Sequence, residues 1–352
     1  MLQDSFIDKS RWNEIVASGY GHIFQTFHWA RVLEQLGTEA CPFMLDDKCI
    51  LMAYRHFAPV AGSLSRKYSV LEVLRGPVFK DNRFDREAFE QVISRLSRYA
   101  RSQGVLSLDI YPSPPATDLE SASFLHKLGL HPVYDLGLHT QTYLIDCSRS
   151  EEELLRAMEE RTRRSIRRAE RLGGKVRDGT DATLLDSFFH VYRLTNPSPK
   201  QKSYFELVNT MLGEQGLARI FTLEVEGHCA AATFALMFGN VVFYVWGGSD
   251  PSYRKYYPGG RLHWETIKWS RSHGFKFYDF HGALTEDLHK YGVDQKKASI
   301  AFFKKGFGGT FVKYLPHHRV VISPARYSLV MAVRKALSGV RDAVLDFSRK
   351  LP

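Results

Sequence analysis

The chain has 352 residues, of which 44% are hydrophobic, 24% charged and 13% aromatic. This composition is typical of globular proteins and excludes disordered, collagen-like and coiled-coil classes. One hydrophobic core rarely extends beyond about 250–300 residues, so the length predicts two domains. The 48 Lys and Arg outnumber the 38 Asp and Glu, giving a net charge of +10. We therefore expect the surface to attract phosphates, nucleic acid or anionic lipid.

The termini, cysteines and apolar stretches bear on where the chain resides. Residues 1–12 are polar, with no apolar run behind a basic start, which predicts no signal peptide and a cytoplasmic location. The 4 cysteines lack C-x-x-C spacing and the 14 histidines lack ligand spacing, so we expect reduced thiols and no bound metal or cofactor. The longest apolar stretch, 229–247, is interrupted by Gly239-Asn240. It predicts a buried β-hairpin rather than a membrane helix.

Two segments match at an offset of 170 residues: RSQGVLSLDI at 101–110 and RSHGFKFYDF at 271–280. In each, a helix-like run ends near a glycine, and a strand carries an aspartate five residues after it, Asp109 in one copy and Asp279 in the other. The match favours a duplicated unit of one helix and one strand. Helix–glycine–strand connections are common in α/β proteins, so a fold without duplication stays open.

The joint between the domains is predicted near 138–140, and the clearest helix follows it at 151–172. Ser150 and Glu153 form a capping box, and apolar residues recur at intervals of three and four until Gly173-Gly174. The second half of this helix is rich in arginine: Arg161, Arg163, Arg164, Arg167, Arg168 and Arg171. Pairing with glutamates accounts for one or two of these, so we predict contact with RNA backbone or phosphate; a solvated charged face is the alternative.

A glycine-containing turn precedes a later helix. Pro258-Gly259-Gly260 would present free backbone N–H groups at the start of that helix, with Arg254, Lys255 and Arg261 around them. Such a nest suits a phosphate or a developing oxyanion. An ordinary turn followed by a helix is the alternative.

The segment FFKKGFGG at 302–309 is more unusual. Two lysines flanked by aromatic residues, running into glycines that let a ligand approach the backbone, predict a cation in a partly desolvated pocket. Acyl transfer to an amine passes through a tetrahedral oxyanion, which a positioned ammonium stabilises without a protein nucleophile. An ordinary strand that ends in a glycine turn is the alternative. The chain has no GxSxG, HExxH, Walker or GxGxxG motif, which disfavours most hydrolase and nucleotidase functions.

Three of these segments, in this order, resemble the FemABX family of tRNA-dependent peptidyltransferases: SEEELLRAMEERTRRSIRRAERLG, YVWGGSDPSYRKYYPGGRLHWETIKWSRSHGFKFYDFHGA and FFKKGFGG. The upstream segments FQTFHWARVLEQLG, LRGPVF and LDIYP fit the family more loosely, and the resemblance spans most of 20–315. It implies an α/β (α+β) fold of tandem GNAT-like domains, each a mixed sheet flanked by helices. The first would cover 1–139, completed by 316–352, and the second 140–315.

The resemblance also implies a reaction and the residues that perform it. An amino acid would pass from aminoacyl-tRNA to an amine of the stem peptide of a UDP- or lipid-linked muropeptide. Phe303 and Lys304 would lie beside the reacting ester, and Asp109 would hold or deprotonate the attacking amine unless it is structural. The remaining implied contacts are substrate contacts by Lys305, Arg254, Gly259, Gly260 and Tyr204, and tRNA contacts by Arg163, Arg164, Arg167 and Arg168.

Two positions depart from the family pattern. Members that bind the precursor diphosphate carry a lysine four residues after the tryptophan of the N-terminal motif, where this chain has Leu33 after Trp29. They also carry an arginine before a tyrosine-containing helix of the second domain, where only Lys200 and Lys202 are available here. The acceptor therefore stays open between a UDP-linked precursor, a lipid-linked precursor and an acceptor outside the cell wall.

The C-terminal region predicts a helix over about 327–351 with one apolar stripe. Residues 316–352 contain seven Lys and Arg against two Asp. We expect this helix to pack on the first domain or to lie on anionic lipid at the inner face of the membrane. Two other functions stay open: an acyl-CoA-dependent N-acyltransferase, and a non-catalytic RNA- or membrane-binding module. A monomer is the default expectation.

Overall fold

The computed structural model describes residues 8–18, 21–46, 48–57, 68–80, 84–112, 119–134, 138–293 and 295–337. The chain divides into two compact units. The first comprises Met1–Thr140 together with Lys313–Pro352, and the second comprises Gln141–Val312.

Both units contain helices and strands. The α-helices are α1 (Lys9–Ala17), α2 (Phe27–Gln35), α3 (Arg86–Ser102), α4 (Leu119–Lys127), α5 (Glu151–Ala157), α6 (Glu160–Arg171), α7 (Ala182–Thr195), α8 (Lys202–Val208), α9 (Pro258–Ser272), α10 (Gln295–Lys305) and α11 (Pro324–Leu337). The strands are β1 (Glu39–Leu45), β2 (Cys49–Phe57), β3 (Ser69–Leu74), β4 (Val78–Phe79), β5 (Ser107–Tyr111), β6 (His131–Val133), β7 (Gln141–Asp146), β8 (Lys175–Gly179), β9 (Ala218–Val225), β10 (His228–Phe238), β11 (Val241–Ser249), β12 (Phe277–Asp279), β13 (Thr310–Lys313) and β14 (His317–Val321).

The first unit is built on one mixed sheet with the strand order β1-β2-β3-β5-β14-β6, and β4 lies beside β2. β3 and β5 run parallel, whereas the other neighbours pair antiparallel. Helix α3 is capped by Asp85, whose side chain accepts a hydrogen bond from the Ala88 N–H. Its apolar face buries Phe89, Val92 and Leu96 in the core of this unit.

The second unit is built on a mixed sheet with the order β13-β7-β12-β11-β10-β9-β8. β12 runs parallel to β11 and antiparallel to β7. The predicted hairpin over 229–247 is confirmed, since β10 and β11 pair antiparallel from Phe238↔Val241 outward and the chain reverses at Gly239-Asn240. Each unit is thus a mixed sheet flanked by helices, as the sequence predicted.

The duplicated helix-and-strand unit is also present in both halves. α3 leads to β5 and α9 leads to β12, and each strand lies parallel to the strand beside it that precedes it in the sequence. Gly104 (φ 59°) and Gly274 (φ 80°) end the two helices in the left-handed region that glycine tolerates best. Asp109 and Asp279 consequently occupy equivalent strands.

The single helix predicted over 151–172 is wrong, because the chain breaks at Met158-Glu159 into α5 and α6. The capping box of Ser150 and Glu153 begins α5 as expected. Met158 is extended, and the N–H of Glu159 donates to the carbonyl of Gly306 at 2.9 Å. A contact from far along the sequence therefore interrupts a pattern that is locally continuous.

The C-terminal helix α11 begins at Pro324 and is described to Leu337; the rest of the predicted helix lies outside the described residues. Leu329 and Val333, two members of its apolar stripe, are 54% and 40% exposed, so packing on the first unit does not cover them. Within the described residues, no helix combines the length and apolar character needed to cross a membrane.

Candidate active site

Lys304 lies in the last turn of α10, so the alternative of a strand ending in a glycine turn is wrong. Its side chain is buried, with the residue 6% exposed, whereas Lys305 is exposed. The desolvated cation that the aromatic flanks suggested is therefore Lys304, and Lys305 faces solvent.

Backbone carbonyls hold the ammonium of Lys304. Its Nζ donates to the carbonyl oxygens of Phe280 at 2.8 Å and Gly282 at 2.5 Å, both in the turn that follows β12. It also lies 5.0 Å from the centroid of the Tyr244 ring. An ammonium carries three N–H groups, so these two carbonyls leave one donor for a further acceptor.

Burial shifts the pKa values of Lys304 and of the titratable groups around it. Burial lowers the pKa of Lys304 to about 7, against the opposing effect of the Asp279 carboxylate. Burial, together with the charge of Lys304, lowers the pKa of His263 to about 3, so that imidazole is neutral. Burial raises the pKa of Tyr244 to about 12 and keeps its hydroxyl protonated. A cation in such surroundings interacts strongly with a developing negative charge.

The Lys304 ammonium lies where the strands β11 and β12 stop pairing. β11 and β12 pair only from Val241↔Phe277 to Phe243↔Asp279, and β11 continues to Ser249 without β12 beside it. Tyr244, the first residue beyond the pairing, contributes the ring near Lys304. The His263 Nδ1 lies 2.7 Å from the Tyr278 hydroxyl. This contact fixes the imidazole beside the Tyr244 ring, with 4.6 Å between the ring centroids.

A cavity of about 540 Å³ opens beside Phe303. It is lined by Arg161, Thr162, Ser165, Tyr257, Ser299, Phe302 and Phe303. Phe303 packs against the rings of Tyr257 and His263, with centroid distances of 6.0 and 5.7 Å. Because Phe303 precedes Lys304 in the chain and shares His263 with it, this ring connects the cavity to the surroundings of the buried ammonium.

The glycines after Lys305 serve internal packing, which corrects their predicted role in ligand approach. A Cβ at Gly306 would lie 2.4 Å from the Thr162 hydroxyl oxygen. One at Gly308, whose φ is +75°, would lie 2.0 Å from the carbonyl oxygen of Ala157. The segment needs glycine because it packs backbone to backbone against the break between α5 and α6.

The predicted anion nest at Pro258-Gly259-Gly260 is only partly formed. α9 begins at Pro258, as expected. The ring of Tyr257 covers Gly260, where a Cβ would lie 1.9 Å from a ring carbon. The Arg261 guanidinium donates to the carbonyls of Ala169 and Gly173 at 3.0 and 2.6 Å, so it caps the end of α6 instead of facing the turn.

Arg254 and Lys255 lie in a short 3₁₀ helix, Pro251–Tyr256, and both are exposed. The Lys255 ammonium lies 4.8 Å from the centroid of the Tyr256 ring. Gly259 is partly buried, with the Ser249 side chain nearby. The turn therefore offers backbone N–H groups but lacks the inward-facing cations that the sequence suggested.

The arginines of α6 have unequal surroundings. Arg163 is half-buried, and its Nη1 donates to the carbonyls of Leu155 and Met158 at 3.1 and 3.4 Å. This guanidinium caps α5, and its contact with tRNA stays a prediction. The remaining arginines of the helix are exposed: Arg161, Arg164, Arg167, Arg168 and Arg171.

We expect Arg163→Ala to lower the free energy of unfolding by about 1–2 kcal/mol, because the carbonyls at the helix break lose a charged donor. Arg167→Ala, on the exposed face of the same helix, should change it by less than about 0.5 kcal/mol. Urea unfolding of the two variants checks this. Equal stability of both variants would contradict the capping role of Arg163.

Asp109 lies in β5 of the first unit and is enclosed by donors. His317 Nε2 lies 2.7 Å from its Oδ1, Arg319 donates to the same oxygen, and the Ser107 hydroxyl donates to Oδ2 at 2.7 Å. Although burial raises its pKa, the hydrogen bond from His317 and the charge of Arg319 lower it on balance. A carboxylate so engaged is a poor base, and its environment fits a structural role.

Tyr204 lies in α8 of the second unit and is 8% exposed. The Lys200 ammonium lies 4.5 Å from its ring centroid, and its hydroxyl has no hydrogen-bond partner among the described residues. Lys202 instead pairs with Asp186 and Glu206 at 2.6 and 3.4 Å. Of the two lysines available in this segment, Lys200 is the one associated with Tyr204.

Leu33 is 1% exposed and belongs to the buried face of α2. The position where the family resemblance implies a lysine is thus a core position in this chain. The described residues include no group of His, Cys, Asp or Glu side chains placed to hold a metal ion. All four cysteines are unpaired.

Sequence reasoning missed several residues of the site: Tyr244, His263, Tyr257 and Thr162. These residues come from three separate elements, and none forms a local motif with Lys304. Asp279 carried a signal, since it matched Asp109 in the internal repeat, but the repeat gave it no chemical role.

The chain is similar to a known domain family and to several curated proteins. An acetyltransferase (GNAT) domain family matches residues 156–291. The lipid II:glycine glycyltransferase of Staphylococcus epidermidis is 22% identical, over 81% of this chain and 83% of the relative. The enzyme of the same name from Staphylococcus haemolyticus is 20% identical, over 81% of this chain and 84% of the relative.

Two solved structures share the fold. The crystal structure of FemX matches with a TM-score of 0.75 at 17% identity, over 92% of this chain and 98% of that chain. The C-terminal domain of a putative lysylphosphatidylglycerol synthetase from Agrobacterium fabrum matches with a TM-score of 0.55 at 16% identity, over 95% of this chain and 98% of that chain.

Two mixed sheets flanked by helices, a GNAT domain match and a buried ammonium beside a cavity define an acyltransferase with tandem GNAT-like units. The relatives named lipid II:glycine glycyltransferase and the FemX structure, which shares the fold along most of the chain, support a FemABX-type GNAT-like protein. The family resemblance found in the sequence is confirmed.

Proposed function

We propose that the protein transfers an amino acid from aminoacyl-tRNA to an amine of the stem peptide of a lipid-linked peptidoglycan precursor. The relatives named lipid II:glycine glycyltransferase support this acceptor and this type of reaction. The observation that carries the proposal is the buried Lys304 ammonium, which has one N–H left after bonding two carbonyls.

In the proposed reaction, the acceptor amine attacks the carbonyl carbon of the aminoacyl ester, so a C–N bond forms and the carbonyl electron pair moves to oxygen. Lys304 donates its remaining N–H to this oxyanion. The tetrahedral intermediate then breaks the C–O bond to the tRNA ribose, whose oxygen takes the proton lost by the amine. No covalent protein intermediate is needed.

The donor end is proposed to enter the cavity beside Phe303. Its aromatic walls suit stacking of a base, and Arg161 lies at its edge. Ser165 and Arg168 follow Arg161 at intervals of four and three residues, so the three share one face of α6. Arg164 and Arg167 lie off this face and extend the positive potential around the helix, which supports long-range attraction of tRNA.

The acyl-CoA alternative receives less support from the turn at the start of α9. A CoA pyrophosphate needs open backbone N–H groups and a nearby cation. Here the Tyr257 ring covers Gly260, and Arg261 is bound to carbonyls at the end of α6.

The direct test is to incubate the purified protein with charged tRNA, acetyl-CoA and a mixture of UDP- and lipid-linked muropeptides, then measure the acceptor masses. We expect an amino-acid increment on the lipid-linked muropeptide that disappears after RNase treatment. An increment only on the UDP-linked muropeptide would correct the acceptor. An acetyl increment, or none, would contradict the proposed function.

We also propose that α11 contacts anionic membrane, where a lipid-linked acceptor resides. Its exposed Leu329 and Val333 lie one turn apart, within the basic region 316–352. The protein should sediment with vesicles containing phosphatidylglycerol but not with neutral vesicles. The variant Leu329→Ser/Val333→Ser should lose this binding while its unfolding transition is kept. Equal binding by the variant would contradict the contact.

A further inference from the structure

Asp279 ends β12 and lies one residue before the turn that holds Lys304. It is 3% exposed. Its Oδ1 accepts hydrogen bonds from the Thr142 hydroxyl at 2.5 Å and from the backbone N–H of His281 at 2.7 Å. The carboxylate is therefore fixed on one side by β7 and on the other by the turn.

The bond to His281 determines the shape of that turn. His281 has φ 49°, in the left-handed region that non-glycine residues rarely adopt. It stands between Phe280 and Gly282, whose carbonyls both accept from the Lys304 ammonium. By holding the N–H of the residue between them, Asp279 keeps both carbonyls directed at the same nitrogen.

Asp279 also supplies negative charge near a buried cation. Burial disfavours the ammonium and lowers the pKa of Lys304 to about 7, and the Asp279 carboxylate opposes this. The other titratable groups around Lys304 are neutral: His263 from α9, Tyr244 from β11 and Tyr278 from β12. The negative charge of the Asp279 carboxylate thus favours the protonated form of Lys304.

The internal repeat gives this arrangement an independent comparison. Asp109 occupies the equivalent position in the first unit, where Arg319 from the neighbouring strand donates to it directly. In the second unit, the cation belongs to α10 and is bound to the turn instead. The duplicated aspartate therefore lies near a cation in both units.

We infer that Asp279 is a positioning residue for the transfer reaction: it shapes the turn that orients the Lys304 ammonium and keeps that group protonated. The inference rests on the proposed function for the role of Lys304 in transfer. The link between Asp279 and Lys304 can be measured without it.

The test is a pH titration of Lys304 by NMR in protein labelled at lysine Cε and Nζ, with Lys304→Arg used for assignment. Asp279→Asn should lower the pKa of Lys304 by about one unit or more. Because only the ammonium has a third N–H, transfer activity should fall as pH rises through this pKa, and the fall should move to lower pH by the same amount in Asp279→Asn. Asp178→Asn is the control, since Asp178 lies in β8 at the far edge of the same sheet and pairs with Arg219 of β9.

An unchanged Lys304 titration in Asp279→Asn would overturn the inference, even if transfer is slower. A shifted titration in a protein without transfer activity would refute the proposed function and keep the link between the two residues. If Asp279→Asn does not fold, the double variant Asp279→Asn/Lys304→Met should recover a cooperative unfolding transition, because it no longer buries an uncompensated charge. Failure of the double variant to fold would also count against the inference.

Discussion

Replacing Lys304 with Met is expected to lower kcat for transfer by about 100- to 1,000-fold while leaving the affinity for the donor nearly unchanged. This is the magnitude that follows loss of one donor to a developing oxyanion. The side chain is buried and bound to Phe280 and Gly282, so it is oriented before substrate arrives. Its contribution therefore appears in the transition state more than in substrate binding.

The neighbouring Lys305→Met variant is the matched comparison, since it removes an exposed ammonium from the same turn of α10. Its effect should be confined to KM for the donor and remain within a few-fold. Single-turnover rates with pre-bound charged tRNA would separate chemistry from binding. If Lys304→Met retains kcat, or if both lysines cost the same, the ammonium does not act on the reacting oxygen.

Local sequence patterns were sufficient for the parts of the fold that short-range physics determines. The turn at Gly239-Asn240 fixed a hairpin because two apolar runs flank it. The glycines at 104 and 274 marked helix ends because they adopt positive φ. Both features depend on residues within a few positions of each other, so a single sequence reveals them.

The same patterns failed where distant segments meet. The arginine-rich helix breaks at Met158-Glu159 because the glycine segment from 306 packs there and binds the Glu159 N–H. Its amphipathic period is continuous through the break, so no local signal marks it. The capping of α5 by Arg163 was missed for the same reason, since the carbonyls that accept from it are exposed only by the break.

In the candidate site, the sequence predicted one feature correctly and gave no information on another. Aromatic flanks correctly indicated a desolvated lysine in the segment at 302–309. They gave no information on the partners of Lys304, which are backbone carbonyls more than twenty residues earlier in the chain. Backbone acceptors carry no residue-type signature, and the ring of Tyr244 reaches the site only because β11 and β12 part.

The second large effect is expected on donor binding when arginines are removed from one face of α6. Arg161 lines the cavity, and Arg168 lies two turns further along the same face. If tRNA runs from the cavity along this face, Arg161→Ala/Arg168→Ala should weaken its binding roughly tenfold or more near 0.1 M salt. The slope of log K against log salt should fall by about 2, since each lost phosphate contact removes about one released counterion.

The matched control removes two other exposed arginines from the same helix, Arg167→Ala/Arg171→Ala, which lie about a quarter turn away from the cavity face. Both pairs lower the net charge equally, so a long-range attraction alone predicts equal losses. We expect the control pair to lose only a few-fold in affinity and less than one unit of salt slope. Filter binding of charged tRNA across a salt series measures both quantities. If both pairs of substitutions lower the affinity and the salt slope equally, tRNA is attracted by the overall charge of α6 and follows no defined path from the cavity.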